Sequence, residues 1–200
     1  IILSTYQIRD DYQQQLESDQ RELALESERT ALIVSQELRQ VMSDLDRIAS
    51  DGAVIRSISM PILSPISVKH LQEFLGAHPS ASSVMLIDEE MFPVEVLPSW
   101  ALTEDLSDYQ SFIADTITSP ESIVDPRARL YVPPSSRDAE VHISFVRPIL
   151  GANDSLTKPF EVKGILFTKV SISRLVSQLG LMPDEQRAFT FLFRNKALYN

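Results

Sequence analysis

The sequence predicts an α+β fold in which a long N-terminal helix packs on an antiparallel sheet. Three observations carry that expectation. From about Tyr6 to Ile48 the chain is rich in Gln, Glu, Leu, Arg and Ala and meets no Gly or Pro before Gly52, a helix-forming composition. From Val84 onward the apolar residues switch from a helical repeat to alternation, the repeat of strands. Strands then arrive in runs, separated by short helical stretches rather than one helix per strand, which favours antiparallel pairing over βαβ winding.

Within the first helix Val34, Leu38, Val41, Leu45 and Ile48 step by four and three and draw one apolar stripe suited to a core. The preceding half has a thin stripe and many charges, among them Arg9, Asp10, Asp11, Glu17 and Arg21, which suits a protruding helix that pairs with a copy of itself or leads elsewhere. Asp51-Gly52 is the expected stop, with Gly52 as a left-handed cap. A second helix is expected from Ser67 as N-cap through Leu71 and Phe74 to Gly76, with Pro79 beyond it. Val84 to Asp88 and Val94 to Leu97 read as a hairpin around the turn Glu89 to Pro93. Ser107 is the expected cap of a short helix running to about Thr116, with Tyr109, Phe112 and Ile113 on one side.

Ile123-Val124 and Leu130 to Val132 read as weak strand pieces, and Pro133 to Asp138 as a loop. The clearest strands are Val141 to Ile149, alternating at first so that one face is buried, and Val162 to Val170, joined by a long loop from Leu150 to Glu161. Ser173 is the expected cap of a last helix, Arg174 to Leu179, closed by Gly180. Phe189 to Arg194 reads as a strand that lacks a partner of its own and starts something new.

Composition narrows the function. With 44 % hydrophobic and 23 % charged residues the chain matches globular averages, which argues against a disordered polymer. A net charge of −10 repels phosphate backbones and argues against a nucleic-acid partner. The absence of cysteine removes disulfides, thiol nucleophiles and thiolate metal sites, and 5 glycines leave no phosphate-binding loop. His70, His78 and His142 show no metal-ligand spacing and read as surface or sheet residues; no GxSxG or SxxK marks a nucleophile. The acidic groups Asp88-Glu89-Glu90 and Glu104-Asp105 lack the spacing of a calcium loop and read as solvated turns. Neither enzymatic activity, cofactor nor metal is expected of this fragment. The candidate ligand-binding residues are Tyr109, Phe112, Arg129, Tyr131, Phe145 and Arg147, with Arg127 nearby. They are expected to flank one face of the sheet, where aromatic walls and an arginine fork suit a small carboxylate.

Four pieces of sequence, in this order, resemble the Cache superfamily, the PAS-like extracytoplasmic sensor modules of bacterial receptors, in their double arrangement. They are the long first helix; the hairpin from Val84 with its acidic turn; Asp105-Leu106-Ser107-Asp108 leading into an aromatic helix; and Val146-Arg147-Pro148-Ile149 followed by Lys163-Gly164-Ile165-Leu166 and Ser171-Ile172-Ser173-Arg174-Leu175. The resemblance implies a signalling or dimerisation helix at 1–52, a membrane-distal PAS-like module at 53–182, and the start of a membrane-proximal module at 183–200. It further implies a periplasmic ligand-sensing domain of a membrane-anchored receptor, a two-component sensor histidine kinase first of all, with a chemoreceptor or diguanylate cyclase as alternatives. The implied partner is a small molecule of carboxylate or amine class, with homodimerisation through the first helix. Tyr109 and Ser111 stand where amino-acid-binding members carry arginine and an aromatic residue, so an α-amino acid is not the expected ligand. The competing reading is a protein-interaction or dimerisation module without a small ligand.

Overall fold

The computed structural model describes residues 2–60, 65–103, 106–132, 142–152, 160–180, 191–193 and 196–199, the first twelve of these and the last seven by backbone alone. It has the predicted α+β architecture. Two compact units divide at Arg39/Gln40. The described residues of the first unit, 2–39, are helical and belong to α1 (Ile2–Ala49), where Leu16, Leu23, Leu25 and Leu32 are exposed. The remaining residues form the second unit, built on a five-stranded antiparallel sheet.

In the second unit the last turns of α1 bury Val41, Leu45 and Ile48 completely, as their spacing predicts. Gly52 is not a left-handed cap. Asp51 has extended backbone and its carboxylate accepts from the Ala53 amide at 2.7 Å, so it starts α2 (Gly52–Ser59) and Gly52 becomes its first residue. Helix α3 (Pro65–Ala77) begins before Ser67 and runs through Gly76, since proline is well placed in a first turn. Ser67 is instead buried, accepting a hydrogen bond from the Ser57 hydroxyl at 2.9 Å.

Strand β1 (Ala81–Asp88) pairs with β2 (Pro93–Leu97), the expected hairpin. Its turn is held by Asp88, whose carboxylate accepts from the amides of Glu90 and Phe92 at 3.0 and 2.8 Å. Two 3-10 turns (Ser99–Thr103 and Ser107–Tyr109) lead into α4 (Gln110–Thr118), so Ser107 opens a 3-10 turn rather than capping an α-helix. Residues 123–124 are helical, not strand: Ser119 accepts from the Glu121 amide, Pro120 follows it, and the pair starts α5 (Pro120–Val124).

The strands β3 (Arg129–Tyr131), β4 (His142–Ala152) and β5 (Phe160–Ser171) complete the sheet in the order β2-β1-β5-β4-β3. β4 and β5 extend into what reads as loop, continuing past a bulge at Ile149/Leu150 to pair Ala152 with Phe160. Both faces of β4 are buried, against the expectation of one. Helix α6 (Ile172–Gln178) is capped by Ser171, which accepts from the Arg174 amide at 3.1 Å, rather than by Ser173; Gly180 follows with φ +67°. Finally β6 (Phe191–Phe193) and β7 (Lys196–Tyr199) pair with each other in a separate two-stranded sheet, so the last stretch does contain its own partner. The proline-rich segment 133–138, the acidic pair 104–105 and positions 189–190 and 194–195 lie outside the described residues.

Register divides the side chains between two faces. On one face Met85, Ile87, Val146, Ile165 and Phe167 pack with Ala101, Tyr109 and Ile113 of the segment containing α4. On the other, Phe145 and Arg147 share a side with Leu166 and Thr168, and face α2 and the end of α1. Gly164 makes the α2 approach feasible: a Cβ there would collide with the Ile87 carbonyl oxygen and stand 3.0 Å from Ile58 Cδ1.

Candidate functional site

The α4 face carries a half-open pocket of about 540 Å³. Ile87 from β1, Met91 from the hairpin turn, and Leu106 and Ile113 from the α4 segment give it apolar walls, while Gln110 and Ser111 supply polar groups. Met91 has φ 68°, in the left-handed region that side chains other than glycine rarely occupy. That strain, sited on the pocket rim, is imposed by the Asp88 turn, in which the Met91 amide donates to the Asp88 carbonyl at 3.1 Å.

Beside the pocket three of the six sequence-predicted residues come together. Tyr109, buried, meets Tyr131 and Phe167 edge-on at centroid distances of 5.8 and 5.2 Å. Phe112 stacks on Tyr131 at 4.4 Å with 13° between the ring planes. The Tyr131 hydroxyl donates to the Asp108 carbonyl at 3.2 Å, which fixes β3 against the turn preceding α4. Arg129 shares the register of Val146 on the edge strand and lines a shallower depression of about 620 Å³ with Glu121, Val124 and Asp125. There the exposed Asp125 carboxyl is held at about 2 by hydrogen bonds from the Arg127 guanidinium, 2.8 Å away on both oxygens.

Phe145 and Arg147 do not join this group, contrary to the expectation that all six flank one face. Both occupy the opposite side of the sheet, because β4 residues of odd number point away from Val146 and Ser144. Phe145 is fully buried there. Arg147, 7 % exposed, donates from Nε to Asp46 Oδ1 at 2.6 Å and from Nη1 to the Pro148 carbonyl. Burial pulls its pKa below the usual arginine value, against the opposing pull of Asp46. The same Asp46 oxygen accepts from the Ala128 amide at 3.0 Å, so one carboxylate ties α1 to β4 and to the chain entering β3. This is a structural clamp.

His78 is a second departure: it is buried, its Nε2 lies 2.9 Å from Asp44 Oδ2, and its ring packs on Phe74 at 4.9 Å. The residues that sequence reading did not place on this face were Met91 and Gln110, which no motif marks, and Lys169. Its placement two residues after Phe167 in an apolar strand already puts it on the aromatic face. Among the described residues no group of three His, Asp or Glu side chains could hold a metal ion, and no helix is long and apolar enough to cross a membrane. No protein-family model matches the chain, and no curated protein matches it.

Proposed function

We propose that the second unit is a ligand-sensing module of the PAS-like Cache kind, the periplasmic part of a membrane-anchored receptor such as a sensor histidine kinase. The observation that carries this reading is the division of labour between the faces of one sheet. A half-open pocket with an aromatic flank occupies one face, and the end of α1 is clamped to the other through Arg147 and Asp46. Strand β4 presents Val146 to the first face and Arg147 to the second, and its neighbour β5 presents Phe167 and Leu166 likewise. A ligand that binds better to one placement of these strands shifts the population of helix placements by that difference in affinity and by no more. The experiment is a thermal-shift screen of organic acids, amines, amides and amino acids, repeated on Ala114→Trp, which fills the pocket. At least one class should raise Tm in the native protein and not in the variant. No shift with any compound would remove direct sensing.

A second reading, a self-association module, is favoured by Leu16 and Leu23, seven residues apart on the helix and 46 and 59 % exposed. Sedimentation equilibrium should then show a dimer that Leu23→Glu abolishes. An unchanged monomer in both proteins would dismiss it.

A further inference from the structure

The cations that an arginine fork for a carboxylate would need are dispersed in the structure. Arg147 lies on the far face of the sheet, bound to Asp46. Arg129 lines the separate depression beside Asp125. Lys169 stands 5.0 Å from the centroid of the Tyr109 ring and does not line the pocket of about 540 Å³ on the α4 face. Among the described residues, the side chains that do line this pocket carry no charge. Asp88 adjoins the wall residue Ile87, but its Oδ1 is turned to the amides of Glu90 and Phe92, and it too is absent from the lining. The polar side chains of the lining are Gln110 and Ser111, consecutive and exposed at the start of α4. The pocket is thus an apolar cup with one neutral polar lip, of a volume ordinary for a small-molecule site.

We propose that this pocket takes an uncharged amphipathic molecule, an apolar body ending in a carboxamide. The inference rests on the sensor reading and deepens it by naming the ligand class. An ion moved from water against these walls loses hydration, and no opposite charge in the lining compensates the loss. That holds for a carboxylate and for an ammonium alike. A carboxamide carries no such cost. Its donor and acceptor match those of Gln110, whose Nε2 donates and whose Oε1 accepts, and the Ser111 hydroxyl does either. The apolar body meets Ile87, Leu106 and Ile113, together with Met91, whose unbranched thioether chain adapts to irregular shapes. A purely apolar ligand would cover the lip and leave its polar groups without partners.

The test is calorimetry and thermal shift on the full chain with two sets of compounds that share a skeleton and differ at the polar end. One set is hexanamide, hexanoate and hexylamine; the other is benzamide, benzoate and benzylamine, all at neutral pH and matched ionic strength. In at least one set the amide should bind most tightly. Gln110→Ala should weaken it by about three- to tenfold, and Ser111→Ala by a similar factor or less. Gln110→Glu places a carboxylate at the lip and should turn the preference from amide to amine. Both positions are exposed, so these variants should keep the native Tm without ligand. Tighter binding of the acid or the amine in both sets would overturn the ligand class and leave the sensor reading intact. Amide binding unchanged in Gln110→Ala and Ser111→Ala alike, or undiminished in Ala114→Trp, would overturn the site. If no compound of any class binds, the proposal and the sensor reading fall together.

Discussion

Asp44 is a carboxylate whose environment works in two directions. Burial pushes its pKa up, but hydrogen bonds from His78, Gln40 and Arg47, with the charge of His78, outweigh it and leave the folded value below the ordinary 3.8. A folded pKa below the unfolded one contributes stability above pH 3.8 that is lost as pH falls through the folded value. Asp44→Asn should therefore cost about 1–2 kcal/mol at neutral pH, and its urea midpoint should converge on that of the native protein at strongly acidic pH. Parallel curves from neutral to acid would contradict the assignment. Arg147 makes a stronger case. Arg147→Ala leaves Asp46 with one donor and empties a buried site, so urea unfolding should show a loss of about 2–3 kcal/mol, with ligand affinity on the far face changed little. The exposed Arg127–Asp125 pair is the control: Arg127→Ala should leave the midpoint unchanged.

Glycine positions separate the elements by how closely they approach one another. Gly164 lies under the β1 backbone at Ile87 and Asp88, which cannot yield as a side-chain tip can, so Gly164→Ala should cost about 2–3 kcal/mol by forcing β1 and β5 apart. In α3 nothing lies within 4 Å of the site a Gly76 Cβ would occupy, so Gly76→Ala should stabilise by about 0.5–1 kcal/mol. Differential scanning calorimetry of both variants checks the sign of each. The same scale shows what could be read from sequence. β1, β4 and β5 were legible because long apolar strands declare themselves by repeat alone. Helix starts were not, because Ser171 and Ser173 are equally good caps two residues apart and only the strand's end decides between them. α5 was missed because Ile123-Val124 suits a strand, while the true signal was Ser119-Pro120-Glu121 just before it. The split of the candidate site has a similar cause. Phe145 and Val146 are both fully buried, so β4 shows no alternation there to say which parity faces α4. Arg147 finds its partner 101 residues away, a pairing that local pattern cannot foresee. Tyr109, Phe112 and Tyr131 were within reach, since helical spacing and strand order already bring them to one side.

For the whole molecule, the unit boundary at Arg39/Gln40 matters more than the helix end near residue 52. Val41, Leu45 and Ile48 are core residues of the sheet unit, and Asp46 is the counterion of its buried guanidinium. A fragment beginning at residue 40 should fold cooperatively, as circular dichroism melting would show, whereas one beginning at residue 53 should not. Excision at the later point strands a cation in a dry interior and strips away three fully buried aliphatic side chains at once. The stretch from Gln40 to Ala49 is thus a shared keystone rather than a detachable handle: whoever dissects this protein, or grafts its sheet onto another scaffold, has to carry those ten residues along.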